Sequence, residues 1–193
     1  MTSPVPPWLT MVEAWEVDPP TTLADTRVFT LRERAARSRT NPEKSGRFVY
    51  LDSSDWVNVL ALTSAEEVVL IEQYRHGIEQ VTLEIPGGMV DPGEEPLTAG
   101  VRELEEETGF RGHRARVVGR VSPNPAIQNN WCHTVLVEDV AVHGPQALEG
   151  SEEIGVRLVP LAAIDDLVRQ GIIHHSLVVV AFHHLRLLRG GPD

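Results

Sequence analysis

The segment 88–110 constrains the fold of this chain more than any other, because a glycine-rich turn there leads into an acidic, helix-like pattern. Apolar residues recur at helical spacing between residues 95 and 108, which predicts one buried stripe. The apolar positions are Leu97, Val101 and Leu104. Gly109 stands where such a helix is expected to end, since glycine readily adopts the left-handed conformation of a helix C-terminus. The segment therefore predicts a turn followed by a capped helix.

Three glutamates of this helix share one face. Glu103, Glu106 and Glu107 stand at positions i, i+3 and i+4, which places their Cβ atoms within about 6 Å of one another. Like charges so close destabilise an isolated helix, so we expect a cation to offset their repulsion. Magnesium prefers oxygen ligands and commonly bridges carboxylates to phosphates. The alternative is a solvated acidic helix face, which is the usual interpretation of an isolated charge run.

Short β-type stretches surround the helix and predict an α/β or α+β sandwich in which helices cover a sheet. The predicted strands cover residues 27–39, 48–51, 56–62, 68–72, 81–85, 115–121, 132–137 and 155–158. The three stretches between residues 48 and 72 suggest a meander. Two further helices are predicted at residues 161–170 and 176–188, and the proline-rich first 25 residues are predicted to form an extended arm.

Charge and cysteine content limit the functional classes. The 193 residues include 17 basic and 28 acidic side chains, a formal charge of −11, which argues against nucleic-acid or anionic-membrane partners. A site for phosphates would then need local arginines or divalent cations. The single cysteine excludes an intrachain disulfide. The first residues show no secretory signal pattern, so we expect a cytoplasmic protein.

The segment 88–110 resembles the Nudix signature at every defined position. That signature is a glycine, five residues, a glutamate, seven residues, and then Arg-Glu-apolar-X-Glu-Glu-X-Gly-apolar. The matching residues are Gly88, Glu94, Arg102, Glu103, Leu104, Glu106, Glu107, Gly109 and Phe110. The resemblance implies a Nudix-fold α/β/α sandwich with a mixed sheet in residues 46–193. It also implies an N-terminal β extension within residues 1–45.

The resemblance further implies a metal centre. The expected ligands of Mg²⁺, with Mn²⁺ possible, are the backbone carbonyl of Gly87 and the side chains of Glu103, Glu106 and Glu107. Arg102 and Glu94 are expected to orient and charge-balance these ligands. Among these residues, Arg102 and Glu106 are the expected catalytic ones.

Two upstream stretches, VVLIEQYRHG at 68–77 and LEIPGG at 83–88, resemble the ADP-ribose and nucleoside-diphosphate-sugar pyrophosphatase branch of the family. By that resemblance Arg75 contacts the phosphates of the substrate, for which a planar guanidinium is well suited. The alternative is a surface arginine that closes a strand.

The stretch SPNPAIQNNWCHT at 122–134 is similar to one in a bacterial subgroup of nucleotide-sugar hydrolases. Its amide side chains are candidates for substrate binding, with ordinary turn formation as the alternative. These candidates are Asn124, Asn129 and Asn130. Trp131 is expected to pack in the interior rather than stack on a base, and His133 is expected to be structural.

The late loop at 148–161 resembles the loop that carries the general base in this branch. Glu152 aligns best with that base, and Glu149, Glu153 or a glutamate of the helix are alternatives. The N-terminal strand and its basic segment occupy the place where this branch forms a homodimer. Phe29 is therefore a candidate for base stacking across a dimer.

The activity implied by the resemblance is magnesium-dependent hydrolysis of the pyrophosphate bond of ADP-ribose or a nucleoside diphosphate sugar, yielding a nucleoside monophosphate and a sugar phosphate. One alternative enzyme cleaves nucleoside triphosphates or dinucleoside polyphosphates. A different class of protein on the same fold is a non-hydrolytic sensor of ADP-ribose-type ligands, although sensors typically carry a degraded signature. The fold and the signature define the chemistry but not the base or the sugar.

Overall fold

The computed structural model describes residues 12–148 and 150–190 of the chain. The described residues divide into two compact units. The first unit contains the described residues of Met1–Ser53 with Asn124–Asn129, and the second contains those of Ser54–Pro123 and Asn130–Asp193. No helix in these two described ranges is both long and apolar enough to cross a membrane.

The described part of the first unit contains an antiparallel four-stranded sheet. Its strands are β1 (Glu16–Val17), β2 (Thr21–Asp25), β3 (Thr30–Arg37) and β4 (Ser45–Asp52). β3 pairs with the other three, which confirms the strand predicted in this region. The described part of the predicted extended arm contains the strands β1 and β2, which satisfy their backbone groups by pairing with β3. The meander is wrong, because β4 pairs with β3 and not with the strand that follows it.

The second unit contains most of the predicted elements. Its strands are β5 (Trp56–Leu62), β6 (Glu67–Arg75), β7 (Gln80–Glu84), β8 (Gly87–Met89), β9 (Phe110–Arg111), β10 (Arg114–Val121), β11 (Cys132–Glu138), β12 (Ala141–Val142) and β13 (Ile154–Pro160). Its helices are α1 (Pro96–Thr108), α2 (Ile164–Arg169), preceded by a 3-10 turn at Leu161–Ala163, and α3 (Ser176–Arg189). These bounds confirm the predicted strands and all three predicted helices within three residues.

A mixed sheet of seven strands forms in the described part of the second unit, in the order β10-β11-β5-β6-β13 with β7 beside β6 and β8 beside β5. β11 and β5 are parallel and the other pairs are antiparallel. β5 and β11 are rich in buried valine and leucine, as is typical of central strands that are covered on both faces.

Alternation along β5 divides the core into two layers, since successive side chains of a strand point to opposite faces. Val59 and Ala61 pack in a cluster with Leu104 of α1. Leu60 and Leu62 pack in another cluster with Phe182 of α3. Helices therefore cover both faces of the sheet, which confirms the predicted α/β/α sandwich.

Helix α1 approaches the sheet through small residues. A Cβ atom added at Gly100 would lie 2.8 Å from Cγ2 of Val135, so glycine permits this close packing. The predicted apolar stripe is partly wrong, because Leu97 is exposed while Ala99 and Leu104 are buried. The helix ends at Gly109, which has a φ of 72° and donates its backbone N–H to the carbonyl of Glu105.

Candidate active site

The turn after β7 brings two glycines against the acidic face of α1. Gly87 and Gly88 begin β8, which pairs with the start of β5. A Cβ atom at Gly88 would lie 2.4 Å from Oε1 of Glu103, and one at Gly87 would lie 2.2 Å from the carbonyl oxygen of Val57. The absence of side chains at both positions lets β8 lie close to β5 and lets a carboxylate of α1 lie against β8.

Two of the predicted metal ligands are shielded from water. Glu107 is buried, and its Oε2 accepts a hydrogen bond of 2.9 Å from the backbone N–H of Gly87. Burial raises the pKa of Glu107 to about 8, and the negative charges of Glu103 and Glu152 act in the same direction. Burial also raises the pKa of Glu103, to which the charges of Glu106 and Glu152 contribute. The negative charge of Glu152, on the loop before β13, therefore affects the protonation of two carboxylates on α1.

Arg102 holds several of the neighbouring acceptors together. Its guanidinium donates to both carboxylate oxygens of Glu94 at 3.1 and 2.9 Å, and to the backbone carbonyl of Met89 at 3.2 Å. It also donates to Oε1 of Glu103 at 2.8 Å and to Oε2 of Glu106 at 3.0 Å. Arg102 therefore orients two of the predicted ligands and ties the start of α1 to β8.

The chemistry of the predicted metal ligands fits a hard divalent cation. Among residues 12–148 and 150–190, no group of three or more His, Cys, Asp or Glu side chains is arranged to hold a metal ion. In this structure, Glu107 accepts a hydrogen bond from Gly87, and Glu103 and Glu106 accept hydrogen bonds from Arg102. All three groups are carboxylates, and burial together with their mutual repulsion raises the pKa values of Glu103 and Glu107. A divalent cation would offset this repulsion.

Arg75 lies at the end of β6 and is tied to a buried carboxylate. Its Nε and Nη2 donate to Oε1 and Oε2 of Glu84 at 2.9 and 2.7 Å. Thr82 Oγ1 donates to Oε1 of Glu84 at 2.6 Å. The positive charge of Arg75 partly opposes the rise in the pKa of Glu107 and so acts on the same cluster of carboxylates. The sequence analysis missed Glu84 and Thr82, although strand alternation in residues 81–85 could have placed them on the Arg75 side.

The late loop carries the predicted general base. Glu152 and Glu153 are both exposed, and Glu149 lies outside the described residues. The charge of Glu152 acts on Glu103 and Glu107, which places it near the acidic face of α1. Gln146, which the sequence analysis missed, donates to the carbonyls of Glu107 and Ile154 at 2.5 and 3.1 Å and so fastens this loop to α1.

Three predicted substrate contacts belong to the first unit. Phe29 is half-buried in the turn before β3, where its backbone is bonded to Thr26. The carbonyl of Asn124 accepts backbone hydrogen bonds within its own turn. Asn129 donates to Oδ1 of Asp52 at 2.6 Å, and its own Oδ1 accepts from the backbone N–H of Ser53 at 3.2 Å. The side-chain amide of Asn129 and the backbone carbonyl of Asn124 therefore contribute to the structure of the first unit.

Asn130, Trp131 and His133 belong to the second unit. Asn130 is buried and donates to the carbonyl of Ser54 at 3.2 Å. His133 is also buried, with Nε2 at 2.8 Å from Oδ2 of Asp55. The predicted burial of Trp131 is wrong, since this residue is 40% exposed. It precedes β11, and the guanidinium of Arg120 covers its ring at 4.6 Å in a cation–π contact that allows it to stay at the surface.

Comparison with known proteins identifies related sequences and a related structure. A family model described as NUDIX domain matches residues 54–177. ADP-ribose pyrophosphatase of Bacillus subtilis (strain 168) is 30% identical over 132 residues, which cover 68% of this chain and 71% of that protein. Methanol dehydrogenase activator of Bacillus methanolicus is 29% identical over 133 residues, with the same coverage of 68% and 71%.

The fold also matches a solved structure described as an ADP compounds hydrolase. The TM-score is 0.81 at 22% sequence identity, and the match covers 94% of this chain and 97% of that one. The family match covers most of the chain and contains the whole acidic helix together with the glycines of β8. The chain therefore belongs to the Nudix family.

Proposed function

We propose that this protein is a pyrophosphohydrolase that cleaves the diphosphate of ADP-ribose or a related nucleoside diphosphate sugar, releasing a nucleoside monophosphate and a sugar phosphate. The observation that carries this proposal is the set of carboxylates on α1, which Arg102 and the glycines of β8 hold against the backbone. The related ADP-ribose pyrophosphatase of Bacillus subtilis supports the choice of substrate class.

The metal in this proposal is Mg²⁺, with Mn²⁺ as a substitute. Glu103, Glu106 and Glu107 would hold it, together with the backbone carbonyl of Gly87. When bound, a divalent ion neutralises negative charge on the phosphate oxygens during attack by water. Arg102 keeps the carboxylates oriented through its hydrogen bonds to Glu103 and Glu106.

In this proposal, Glu152 is the general base that accepts a proton from the attacking water. A bond forms between the water oxygen and one phosphorus, and the bond from that phosphorus to the bridging oxygen breaks. The other phosphate leaves with the electron pair, while Glu152 accepts the proton. The electrostatic effect of Glu152 on Glu103 and Glu107 supports this role. Glu149 and Glu153 are the alternatives on the same loop.

The remaining predicted contacts are proposed to select the substrate. Arg75 would contact the diphosphate, for which its fixed guanidinium is suited. Asn124, Asn129 and Asn130 would contact the sugar or a phosphate. Phe29 would stack on the base.

A turnover screen tests the proposed function. ADP-ribose, ADP-glucose, GDP-mannose, UDP-glucose, NADH and ATP are incubated with the protein and magnesium, and the products are separated. We expect a nucleoside monophosphate and a sugar phosphate from at least one of the nucleotide sugars. Preferential cleavage of ATP would instead favour a nucleoside triphosphate pyrophosphatase. A nucleotide sugar that binds but is not cleaved would favour a sensor, and either result would overturn the proposal.

We also propose that the protein is a homodimer and is cytoplasmic, with no nucleic-acid or membrane partner. The resemblance of the N-terminal strands to a dimerisation element supports the first statement. The net charge of −11 supports the exclusion of polyanionic partners. The single cysteine, Cys132, is buried and free, which suits a reducing compartment.

A further inference from the structure

The two side chains of the Arg75–Glu84 ion pair differ in their exposure to solvent. The side chain of Glu84 is 3% exposed, whereas that of Arg75 is 42% exposed. The carboxylate is bonded to the Nε and Nη2 edge of the guanidinium. A guanidinium has five N–H groups, so this contact leaves the Nη1 edge for another acceptor. Arg75 is thus held from its buried side.

The carboxylate of Glu84 is itself fixed. Thr82 Oγ1 donates to Oε1 of Glu84 at 2.6 Å and also lies 3.1 Å from the carbonyl oxygen of Gln73. Burial acts to raise the pKa of Glu84, but the hydrogen bonds from Arg75 and Thr82 outweigh it and hold the pKa below its ordinary value. A buried carboxylate therefore remains charged and faces the guanidinium of Arg75.

The strand register brings this pair to the catalytic side of the sheet. Across β6 and β7, Ile71 pairs with Glu84 and Gln73 pairs with Thr82. Because side chains alternate along a strand, residues 71, 73 and 75 of β6 lie on the same face of the sheet as Thr82 and Glu84. Val69 has the same parity on β6 and packs with Leu104 of α1. The chain continues from Glu84 directly into the turn that carries Gly87. The guanidinium of Arg75 therefore lies on the face of the sheet that α1 covers.

We propose that Glu84 is a positioning residue, whose buried carboxylate, fixed by Thr82, holds Arg75 with its free guanidinium edge toward the substrate diphosphate. This inference rests on the proposed function and adds a role for two residues that do not touch the substrate. The long side chain of an unheld arginine would lose rotational freedom on binding a phosphate. Fixing it beforehand reduces that cost and improves binding.

Steady-state kinetics on the best nucleotide sugar test the proposal. Glu84→Gln keeps the shape of the side chain but removes its charge, so we expect KM to rise about tenfold while kcat changes much less. Thr82→Val is expected to give a smaller rise in KM. Arg75→Ala is expected to raise KM at least as much as Glu84→Gln.

The double variant Arg75→Ala/Glu84→Gln separates a positioning role from a general structural one. If Glu84 acts through Arg75, adding Glu84→Gln to Arg75→Ala causes no further rise in KM. Binding of a methylene-bridged, non-hydrolysable analogue of the substrate, measured by calorimetry without metal, is expected to follow the same pattern. Thr82→Val and Arg75→Lys serve the same comparison if Glu84→Gln does not fold.

The matched control is Glu72→Gln. Glu72 receives a bidentate ion pair of 2.6 and 2.9 Å from Arg157, between β6 and β13, but both side chains are more exposed. We expect this variant to keep the wild-type KM. An unchanged KM in Glu84→Gln, or additive effects in the double variant, overturns the positioning role while wild-type turnover still supports the proposed function. Absence of wild-type turnover and binding on all nucleotide sugars overturns both.

Discussion

Neighbouring glutamates of α1 have different surroundings, and their position relative to Arg102 decides what each can do. Glu106 accepts a hydrogen bond from Arg102 at 3.0 Å, beside the other predicted ligands. Glu105 accepts instead from Arg111, on another side of the helix. Glu107, one residue further, is buried against the backbone of Gly87. Successive residues of a helix are rotated by about 100° around its axis. At the scale of single residues, this rotation places Glu105 in a surface ion pair and Glu106 among the candidate metal ligands.

The substitution Glu106→Gln is expected to lower kcat for the nucleotide sugar by about a hundredfold or more, because it removes a charged ligand without altering the core. Far-UV circular dichroism and thermal unfolding should show the wild-type fold. Glu105→Gln is the matched control and should retain wild-type kcat. Equal rates in all three proteins would refute the metal assignment.

The raised pKa of Glu107 predicts a pH-dependent stability. The folded protein holds this proton up to about pH 8, whereas the unfolded chain releases it near 4.5. The folded state therefore binds more protons in this window. The free energy of unfolding should fall with rising pH by up to roughly 1.4 kcal/mol per pH unit.

Urea denaturation in the presence of a chelator, carried out between pH 4.5 and 8, measures this dependence. The variant Glu107→Gln has no carboxyl to titrate there, and its stability should vary less with pH than that of the wild type. Parallel curves for the two proteins would contradict the pKa assignment of Glu107.

At the scale of elements, the segment from the end of β7 through β8 and the helix α1 together form the candidate site. The turn supplies a backbone N–H to Glu107 and leaves room at Gly88 for Glu103. Arg102 links the helix back to the carbonyl of Met89 in β8. The position of each carboxylate thus depends on the strand as much as on the helix, which explains why the glycines accompany the glutamates in the signature.

The substitution Gly88→Ala is expected to affect activity more than stability. The added methyl would lie 2.4 Å from a carboxylate oxygen at the end of the flexible Glu103 side chain, so Glu103 moves while the backbone stays. We expect the magnesium concentration for half-maximal activity to rise about tenfold, since misplaced ligands bind metal weakly. Magnesium titrations of the wild type and the variant measure this change.

Gly77→Ala is the control for that experiment. An added Cβ at Gly77 meets nothing within 4 Å, so this variant should require the same magnesium concentration as the wild type. An unaltered magnesium requirement in Gly88→Ala would show that Glu103 does not depend on the space at Gly88.

At the scale of the whole molecule, the charge distribution has to accommodate an anionic substrate on an acidic protein. The chain carries a formal charge of −11, yet Arg75 and Arg102 are both placed among the carboxylates of the candidate site. Several large apolar side chains of the first unit are exposed. These are Val17, Leu23, Phe48 and Val49. Exposed apolar surface of this kind is characteristic of interaction sites.

The proposed homodimer predicts a molar mass of twice the 21.3 kDa of one chain. Size-exclusion chromatography with light scattering measures this mass directly. The substitution Phe48→Glu, which places a charge on an exposed apolar position of β4, should shift the mass toward that of one chain. A wild-type mass of one chain at micromolar concentration would contradict the dimer.

The sequence by itself determined the three helices and the longer strands of the second unit, the cap at Gly109 and the family, because periodicity and motif spacing are local properties. It did not predict the short strands β8, β9 and β12. Only the tertiary structure decided the exposure of Trp131, the pairing of β4 with β3, and the bond between Arg75 and Glu84. Burial and partner choice depend on which distant segments pack together, and single-chain spacing does not contain that information. The solvent exposure of Glu103, Glu106 and Glu107 illustrates the same point. These residues look equivalent along the helix, but their exposure differs because β8 covers only part of that face.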